Sequence, residues 1–263
     1  EALIDAYIDC GVQGLVLGAG TGQHPYLTAD ECRRLYEIGA KRVAGRCNLV
    51  CQTSALVVDE VIERSKHAEG LGADALMILP PYLEGPEDDD GLFEFYRTID
   101  ASVGIDLVGY NIPQTTGIGI SVDLFERLNQ LDHFAYIKDS AGDLTTHQEY
   151  LATGFKVLNG CDPNTVFAFI AGAQGCIWGG ANYMPRECVQ LYDLVASGDV
   201  AGAMTLWSHM IPSLLCIWRG NYIPRVKAAS RQRGFDGGSV RAPLRELSTD
   251  ELLELAASLE PLG

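Results

Sequence analysis

The segment FAYIKDSAGD, residues 134–143, shows the unit from which this chain is built. An apolar run ends at Lys138 and is followed at once by small and polar residues, a pattern typical of a buried strand that ends in a loop. A lysine in a partly apolar pocket loses hydration, the pKa of its amine falls, and the neutral amine can attack a carbonyl group. A strand-end lysine that reaches solvent is the common alternative, and other segments decide between the two.

Short apolar runs followed by amphipathic stretches recur along the whole chain. Seven such runs predict parallel strands joined by crossover helices: residues 14–20, 48–54, 75–81, 106–113, 134–140, 155–162 and 175–183. Polar residues such as Tyr110 and Lys138 lie near the ends of several different runs, so reactive groups come from many strands at one rim. This arrangement predicts an α/β fold of the (β/α)₈ TIM barrel type rather than an open doubly wound sheet.

Both ends of the chain depart from a simple barrel. A (β/α)₈ barrel has eight strands, whereas residues 1–13 space their apolar side chains as a helix does, so we expect a first strand to precede Glu1. After Tyr183 the pattern is helical, with separate stretches predicted at 200–206 and 210–218. We therefore predict a barrel lacking its first strand over residues 1–197 and a C-terminal helical extension over residues 198–263.

Composition limits the classes of partner and compartment. The net charge of −16 argues against nucleic acid or an anionic membrane as a partner, and no apolar stretch of membrane-spanning length is evident. Eight cysteines without a C-x-x-C pair predict reduced thiols in a cytoplasmic protein. The acidic run at residues 84–90 lacks the ligand spacing of a metal site and predicts a solvated loop.

Four motifs in order along the chain resemble the dihydrodipicolinate synthase and N-acetylneuraminate lyase family. They are Gly20-Thr21-Gly22, Pro80-Pro81-Tyr82, Tyr110-Asn111-Ile112-Pro113 and Ile137-Lys138-Asp139-Ser140, and Asn221-Tyr222-Ile223-Pro224 resembles the C-terminal region of the family. The resemblance implies that Lys138 forms a Schiff base with a 2-keto acid, typically pyruvate, and that Tyr110 shuttles protons. It implies no cofactor, because the imine is the electron sink, and a homotetramer.

The glycine-rich turn and a tryptophan complete the predicted site. Gly20, Thr21 and Gly22 can hold a keto-acid carboxylate through backbone N–H groups and a hydroxyl, although a tight strand-to-helix turn has the same composition. Trp178 is large enough to restrict the pocket, and a role in barrel packing is its alternative.

Departures from the family bear on the substrate. Thr115 stands where the synthases carry an arginine that grips the aldehyde substrate's carboxylate, which argues against aspartate semialdehyde. Gly20 and Leu83 stand where the synthases carry the hydroxyl groups of an inter-subunit proton relay. His24, after the glycine turn, could contact a substrate or pack in a loop.

We therefore predict a Schiff-base lyase or aldolase that acts on pyruvate or another 2-keto acid, with no metal. Three alternatives remain open at this point. They are a dehydratase for a 2-keto-3-deoxy sugar acid, a dihydrodipicolinate synthase with an altered aldehyde site, and a non-catalytic keto-acid binding protein.

Overall fold

The computed structural model describes residues 1–86 and 88–263. Seven parallel strands form one sheet in chain order: β1 (Gly14–Leu17), β2 (Asn48–Gln52), β3 (Ala75–Ile78), β4 (Asp106–Asn111), β5 (Phe134–Asp139), β6 (Lys156–Asn159) and β7 (Gly175–Cys176). Each strand pairs in parallel with the next, which confirms the predicted order. Each strand is shorter than its predicted run, most of all at 175–183, where only Gly175–Cys176 is strand and Gly179–Asn182 forms a 3₁₀ helix.

Helices follow the strands and cover the outer face of the curled sheet. They are α1 (Ala2–Asp9), α2 (Ala29–Val43), α3 (Val58–Gly70), α4 (Asp89–Asp100), α5 (Pro113–Thr116), α6 (Val122–Leu128), α7 (Leu144–Ala152), α8 (Thr165–Ala171), α9 (Pro185–Ala196), α10 (Val200–Trp218), α11 (Tyr222–Gln232) and α12 (Thr249–Leu259). Short 3₁₀ helices lie at His24–Tyr26, Asp162–Asn164 and Glu260–Leu262. The repeated strand–helix order is that of a TIM-barrel-like fold with a C-terminal helical part.

Side chains along each strand alternate between an inner and an outer face of the curled sheet. On β3, Leu76 and Ile78 pack with the helices in the main hydrophobic cluster, whereas Met77 belongs to a second cluster inside the curled sheet. On β5, Ile137 faces the helices, and Tyr136 lies with the inner cluster. Because side chains alternate with a period of two, Lys138 is directed to the same inner side as Tyr136.

The N-terminal helix connects the two outer strands of the sheet. Within the described residues β1 and β7 are not paired with each other. In α1, Asp5 accepts a hydrogen bond from Arg46 at 2.7 Å, beside β2, and the Tyr7 hydroxyl donates to the carbonyl oxygen of Asn182 at 3.0 Å, after β7. The helix predicted within residues 1–13 is confirmed over Ala2–Asp9, and the strand expected before it stays a prediction.

Helix α10 corrects two expectations from the sequence. The stretches predicted separately at 200–206 and 210–218 form one helix, because Trp207 and Met210 both pack in the C-terminal core. Among the helices of the described residues, α10 alone is long and apolar enough to span a membrane, although core helices of globular proteins meet the same criterion. It shares a core with Leu191 of α9 and Leu255 of α12, on either side of the predicted boundary at residue 198.

The acidic run at residues 84–90 is only partly a loop. Asp88 caps α4 by accepting a hydrogen bond from the Gly91 N–H at 2.8 Å, so the helix begins at Asp89. Asp90 then pairs with Arg127 of α6 at 2.7 Å. These tertiary partners extend the helix into the run, and Glu87 lies outside the described residues.

Candidate active site

Lys138 and Tyr110 lie side by side near the carboxyl ends of neighbouring strands. They are register partners on β5 and β4, and the Lys138 Nζ lies 3.7 Å from the centre of the Tyr110 ring. Both side chains are buried, with 5% and 7% of their surface exposed. A cation over the face of a phenol ring is attracted by the ring quadrupole, so the tyrosine fixes the direction in which the amine points.

A cavity of about 1080 Å³ opens next to this pair. Its wall contains all six residues predicted for the site: Lys138, Tyr110, Gly20, Thr21, Gly22 and Trp178. The cavity extends along β1 to the inner side of α1, where Tyr7 lines it. Trp178 also stacks on Trp207, with ring centres 6.5 Å apart, so it both lines the cavity and packs against α10.

The glycine-rich turn after β1 depends on glycine at Gly18 and Gly22. Gly18 has a φ of +68°, and a Cβ added to Gly22 would lie 3.2 Å from the Gly18 Cα and the Ala19 nitrogen. The Gln23 N–H closes the turn on the carbonyl oxygen of Gly20 at 2.9 Å. The turn thus brings its backbone to the cavity wall, where peptide N–H groups can approach an anion closely.

Gly160, after β6, makes room for the lysine side chain. A Cβ added there would lie 2.5 Å from the Lys138 Cε and 2.1 Å from the Ser140 Oγ. The Gly160 N–H donates to the carbonyl oxygen of Asp139 at 2.7 Å, so the backbone is held against β5 at this point. The Lys138 side chain therefore lies over the backbone at Gly160, in space that the side chain of any other residue at position 160 would fill.

A buried polar network supports the ends of β4 and β5 from the outside. The Asp139 carboxylate accepts a hydrogen bond from the Asn111 Nδ2 at 3.0 Å and from the Ala141 N–H at 3.1 Å, and it lies 2.9 Å from the His147 Nδ1. Asn111 and Asp139 directly follow Tyr110 and Lys138 in sequence. Because the network joins the two strands, it fixes the spacing of the two site residues.

A further phenol at the cavity comes from the C-terminal helices, and the sequence does not predict it as a site residue. Tyr222 of α11 lines the cavity, and its hydroxyl donates to the Asp162 Oδ2 at 3.0 Å. The Gly179 N–H donates to the other carboxylate oxygen at 3.2 Å. Burial raises the pKa of Asp162 to about 6, and these two donors and Lys138 limit the rise.

The remaining candidates from the sequence separate into two groups. Thr115 lines the cavity as expected. Leu83 is 68% exposed, at the surface between β3 and α4. His24 is buried against Gln52, with 2.9 Å between the Gln52 Nε2 and the His24 Nδ1, and it is not part of the cavity wall. Burial lowers the pKa of His24 to about 4, so it packs as a neutral ring.

Comparison with known proteins places the whole chain in one family. The dihydrodipicolinate synthetase family matches residues 1–262. The chain is 30% identical to 4-hydroxy-tetrahydrodipicolinate synthase of Phenylobacterium zucineum and 32% identical to that of Acidiphilium cryptum, covering 100% of this chain and 90% and 91% of those proteins. The structure of a putative dihydrodipicolinate synthetase from Pseudomonas aeruginosa matches with a TM-score of 0.95 at 31% identity, over 100% of this chain and 91% of that one.

These matches confirm the resemblance seen in the motifs and the curled parallel sheet. The chain belongs to the dihydrodipicolinate synthetase family, whose members are carbon–carbon lyases and synthases of the class I aldolase type.

Proposed function

We propose that this protein forms a Schiff base between Lys138 and pyruvate or another 2-keto acid, and uses the imine to make or break a carbon–carbon bond. The observation that carries the proposal is the position of the Lys138 amine, buried in a cavity and 3.7 Å from the Tyr110 ring. An amine that serves only as a surface charge does not need this burial. A keto-acid binding protein without catalysis does not need an imine-forming lysine beside a phenol either.

The chemistry follows from the neighbours of the amine. The neutral Lys138 amine attacks the keto carbon, and the carbonyl oxygen leaves as water once protons have been supplied. The Tyr110 hydroxyl, on the adjacent strand, exchanges protons during these steps because a phenol can both donate and accept. The protonated imine is a cation at the position of the Lys138 amine, so the neighbouring Tyr110 ring can stabilise it.

We assign the substrate carboxylate to the glycine-rich turn. Gly20, Thr21 and Gly22 line the same cavity as Lys138, and their backbone and the Thr21 hydroxyl offer donors without a cationic side chain. Trp178 limits the space available to the rest of the substrate. No cofactor is needed in this scheme, since the imine accepts the electron pair of the bond that breaks.

The second half of the substrate is the point on which members of the family differ. The relatives named above are 4-hydroxy-tetrahydrodipicolinate synthases, which keeps that activity as a second candidate. Thr115 on the cavity wall offers one hydroxyl where a bidentate cation would grip a carboxylate. We therefore favour an aldolase whose aldehyde substrate or product carries no carboxylate of its own. Aspartate semialdehyde, which carries one, is the less favoured substrate. A 2-keto-3-deoxy sugar acid dehydratase would use the same imine.

We further propose a cytoplasmic homotetramer with no nucleic-acid or membrane partner, built as a barrel over residues 1–197 and an extension over 198–263. The net charge of −16 supports the absence of a nucleic-acid or membrane partner. The helices that follow Gly198 support a separate C-terminal extension. One structural neighbour, 24% identical, is described as a monomeric dihydrodipicolinate synthase variant, so the assembly needs its own measurement. Light scattering after size-exclusion chromatography gives the mass of the assembly directly.

The test of the function is turnover of pyruvate with a panel of aldehydes, followed by NMR of the products. Neutral hydroxyaldehydes should give a new carbon–carbon bond, and aspartate semialdehyde should give less. A Thr115→Arg variant should shift the preference toward aspartate semialdehyde. Strong wild-type activity with aspartate semialdehyde would favour the synthase, and dehydration of a 2-keto-3-deoxy sugar acid without cleavage would favour the dehydratase.

A further inference from the structure

The wall of the cavity contains the phenol of Tyr222, and the fold holds it in one position. The Tyr222 hydroxyl donates a hydrogen bond to the Asp162 Oδ2 at 3.0 Å, and Asp162 is 1% exposed. A Cβ added to Gly179 would lie 2.2 Å from the Tyr222 Oη and 3.0 Å from the Asp162 Oδ2. The pair therefore occupies space that a glycine in the loop after β7 leaves open, beside the cavity that holds Lys138.

Asp162 lies behind Tyr222 and within electrostatic reach of the lysine. The ionisable groups around it come from several elements: Lys138, Tyr222, Tyr183, Cys161, Cys176 and Cys188. Burial raises the pKa of Tyr183 and Tyr222 well above the usual range of a phenol. Burial also raises the pKa of the three cysteine thiols. Asp162 is thus the carboxyl group of this set.

We propose that Tyr222 and Asp162 form a second proton-transfer pair of the active site, which takes the proton from the methyl carbon of the imine-bound keto acid. Tyr222 lines the cavity and would contact the bound keto acid there, whereas Asp162 would act through its hydrogen bond to Tyr222. This inference rests on the proposed function, because it needs an imine at Lys138. It assigns Tyr110 to the steps at the nitrogen and Tyr222 to the step at carbon.

The proposed step is balanced in atoms and charge. The C–H bond of the methyl group breaks, its electron pair becomes the C=C bond of the enamine, and the C=N electron pair returns to the Lys138 nitrogen. The proton passes to the Tyr222 oxygen while the hydroxyl proton of Tyr222 passes to the Asp162 carboxylate. An iminium cation and a carboxylate anion thus become a neutral enamine and a neutral carboxylic acid, and the reverse step returns the proton.

Burial makes Asp162 suited to hold this proton. A carboxyl group with a pKa of about 6 is ionised and able to accept at neutral pH, and it gives the proton back more readily than a stronger base would. The Tyr222 phenol keeps its own proton at these pH values, so the hydrogen bond to Asp162 stays in place for the transfer. The positions at which the synthases carry relay hydroxyl groups are occupied here by Gly20 and Leu83, which have none. Tyr222 offers a phenol from within the same chain in their place.

The test uses pyruvate alone, so it does not depend on the unknown aldehyde. Wild type, Tyr222→Phe and Asp162→Asn are incubated with saturating pyruvate in D₂O, and loss of the methyl proton signal is followed by NMR. A parallel sample is reduced with borohydride to measure the imine on Lys138. Tyr96→Phe is the matched control, because its buried hydroxyl donates to a backbone carbonyl, that of Ile78 at 3.0 Å.

We expect Tyr222→Phe to form the imine as wild type does and to exchange the methyl protons about 100-fold more slowly. Exchange in wild type should fall below about pH 6, where Asp162 takes up a proton, and Asp162→Asn should lose this dependence as well as the rate. Tyr96→Phe should match wild type in both measurements.

Three results would overturn the inference in ways that can be told apart. If Tyr222→Phe exchanges as fast as wild type while Lys138 is trapped in both, the pair has no part in the step. If wild type is trapped but does not exchange, the step itself is absent. If wild type shows no adduct on Lys138, the proposed function fails and this inference fails with it.

Discussion

Replacing Gly160 by alanine should disable the active site while leaving the protein folded. The added Cβ would lie 2.5 Å from the Lys138 Cε and 3.2 Å from its Cγ. Ordinary contacts between such atoms begin near 3.4 Å, so the end of the lysine must move by roughly 0.9 Å or change its rotamer. The Ser140 hydroxyl, 2.1 Å from the new carbon, must also rotate away.

The magnitude follows from how strictly a nucleophile must be placed. A displacement of about 1 Å in a reacting group costs on the order of 100-fold in rate, so we expect imine formation with pyruvate to slow by about that factor. The clash involves flexible side chains rather than backbone, so the loss of stability should stay near 1–3 kcal/mol, the usual cost of overpacking.

The assay is the rate of borohydride-trapped adduct on Lys138 in Gly160→Ala, together with its thermal midpoint. Gly70→Ala is the matched control: Gly70 ends α3, and a Cβ there meets nothing within 4 Å. The control should trap pyruvate normally and be as stable as wild type or slightly more so. Wild-type trapping by a folded Gly160→Ala protein would refute the argument that Lys138 needs this space.

Three further predictions concern the other groups described above. Tyr110→Phe should slow adduct formation on Lys138 by about 100-fold or more, measured by quenched-flow trapping, and an unchanged rate would remove Tyr110 from the proton steps. His24 has a pKa of about 4 when folded and about 6.5 when unfolded, so wild type should lose up to about 1.4 kcal/mol per pH unit as the pH falls from 6.5 toward 4. Urea unfolding at pH 7 and pH 5 should show a smaller loss in His24→Gln; equal losses would assign the effect to other groups. Ser248→Ala removes the acceptor for the Glu251 N–H at 3.3 Å and should cost about 1 kcal/mol, read as a lower midpoint in urea, with no change in trapping.

Much of the site could be predicted because its geometry is set by local sequence. The apolar run before Lys138 makes a strand, alternation along β5 turns the lysine inward, and parallel pairing puts Tyr110 beside it. The glycine-rich turn is likewise local, since its φ values and close approaches arise within residues 18–23. These features depend on residues near one another in the chain and on the general rule that parallel strands end at one rim.

The missed features depend on contacts between distant segments. Tyr222 and Asp162 are 60 residues apart, and the family resemblance at residues 221–224 does not indicate that α11 reaches the cavity. The loop predicted at residues 84–90 is too long, because Asp90 lies in α4 and pairs with Arg127 on α6, a partner 37 residues away. The sequence predicts two helices in place of α10 because polar residues separate its apolar stretches, whereas the packing of Trp207 continues the helix.

The most direct test of the whole account is borohydride reduction in the presence of pyruvate, followed by peptide mass spectrometry. Lys138→Ala is compared with Lys156→Ala, whose amine also lies over a tyrosine ring, 4.6 Å from the Tyr136 centre, but on an exposed residue. The account predicts a reduced pyruvyl adduct on Lys138 in wild type and in Lys156→Ala, and none in folded Lys138→Ala. An adduct that persists in Lys138→Ala, or no adduct in the folded wild type, would contradict it.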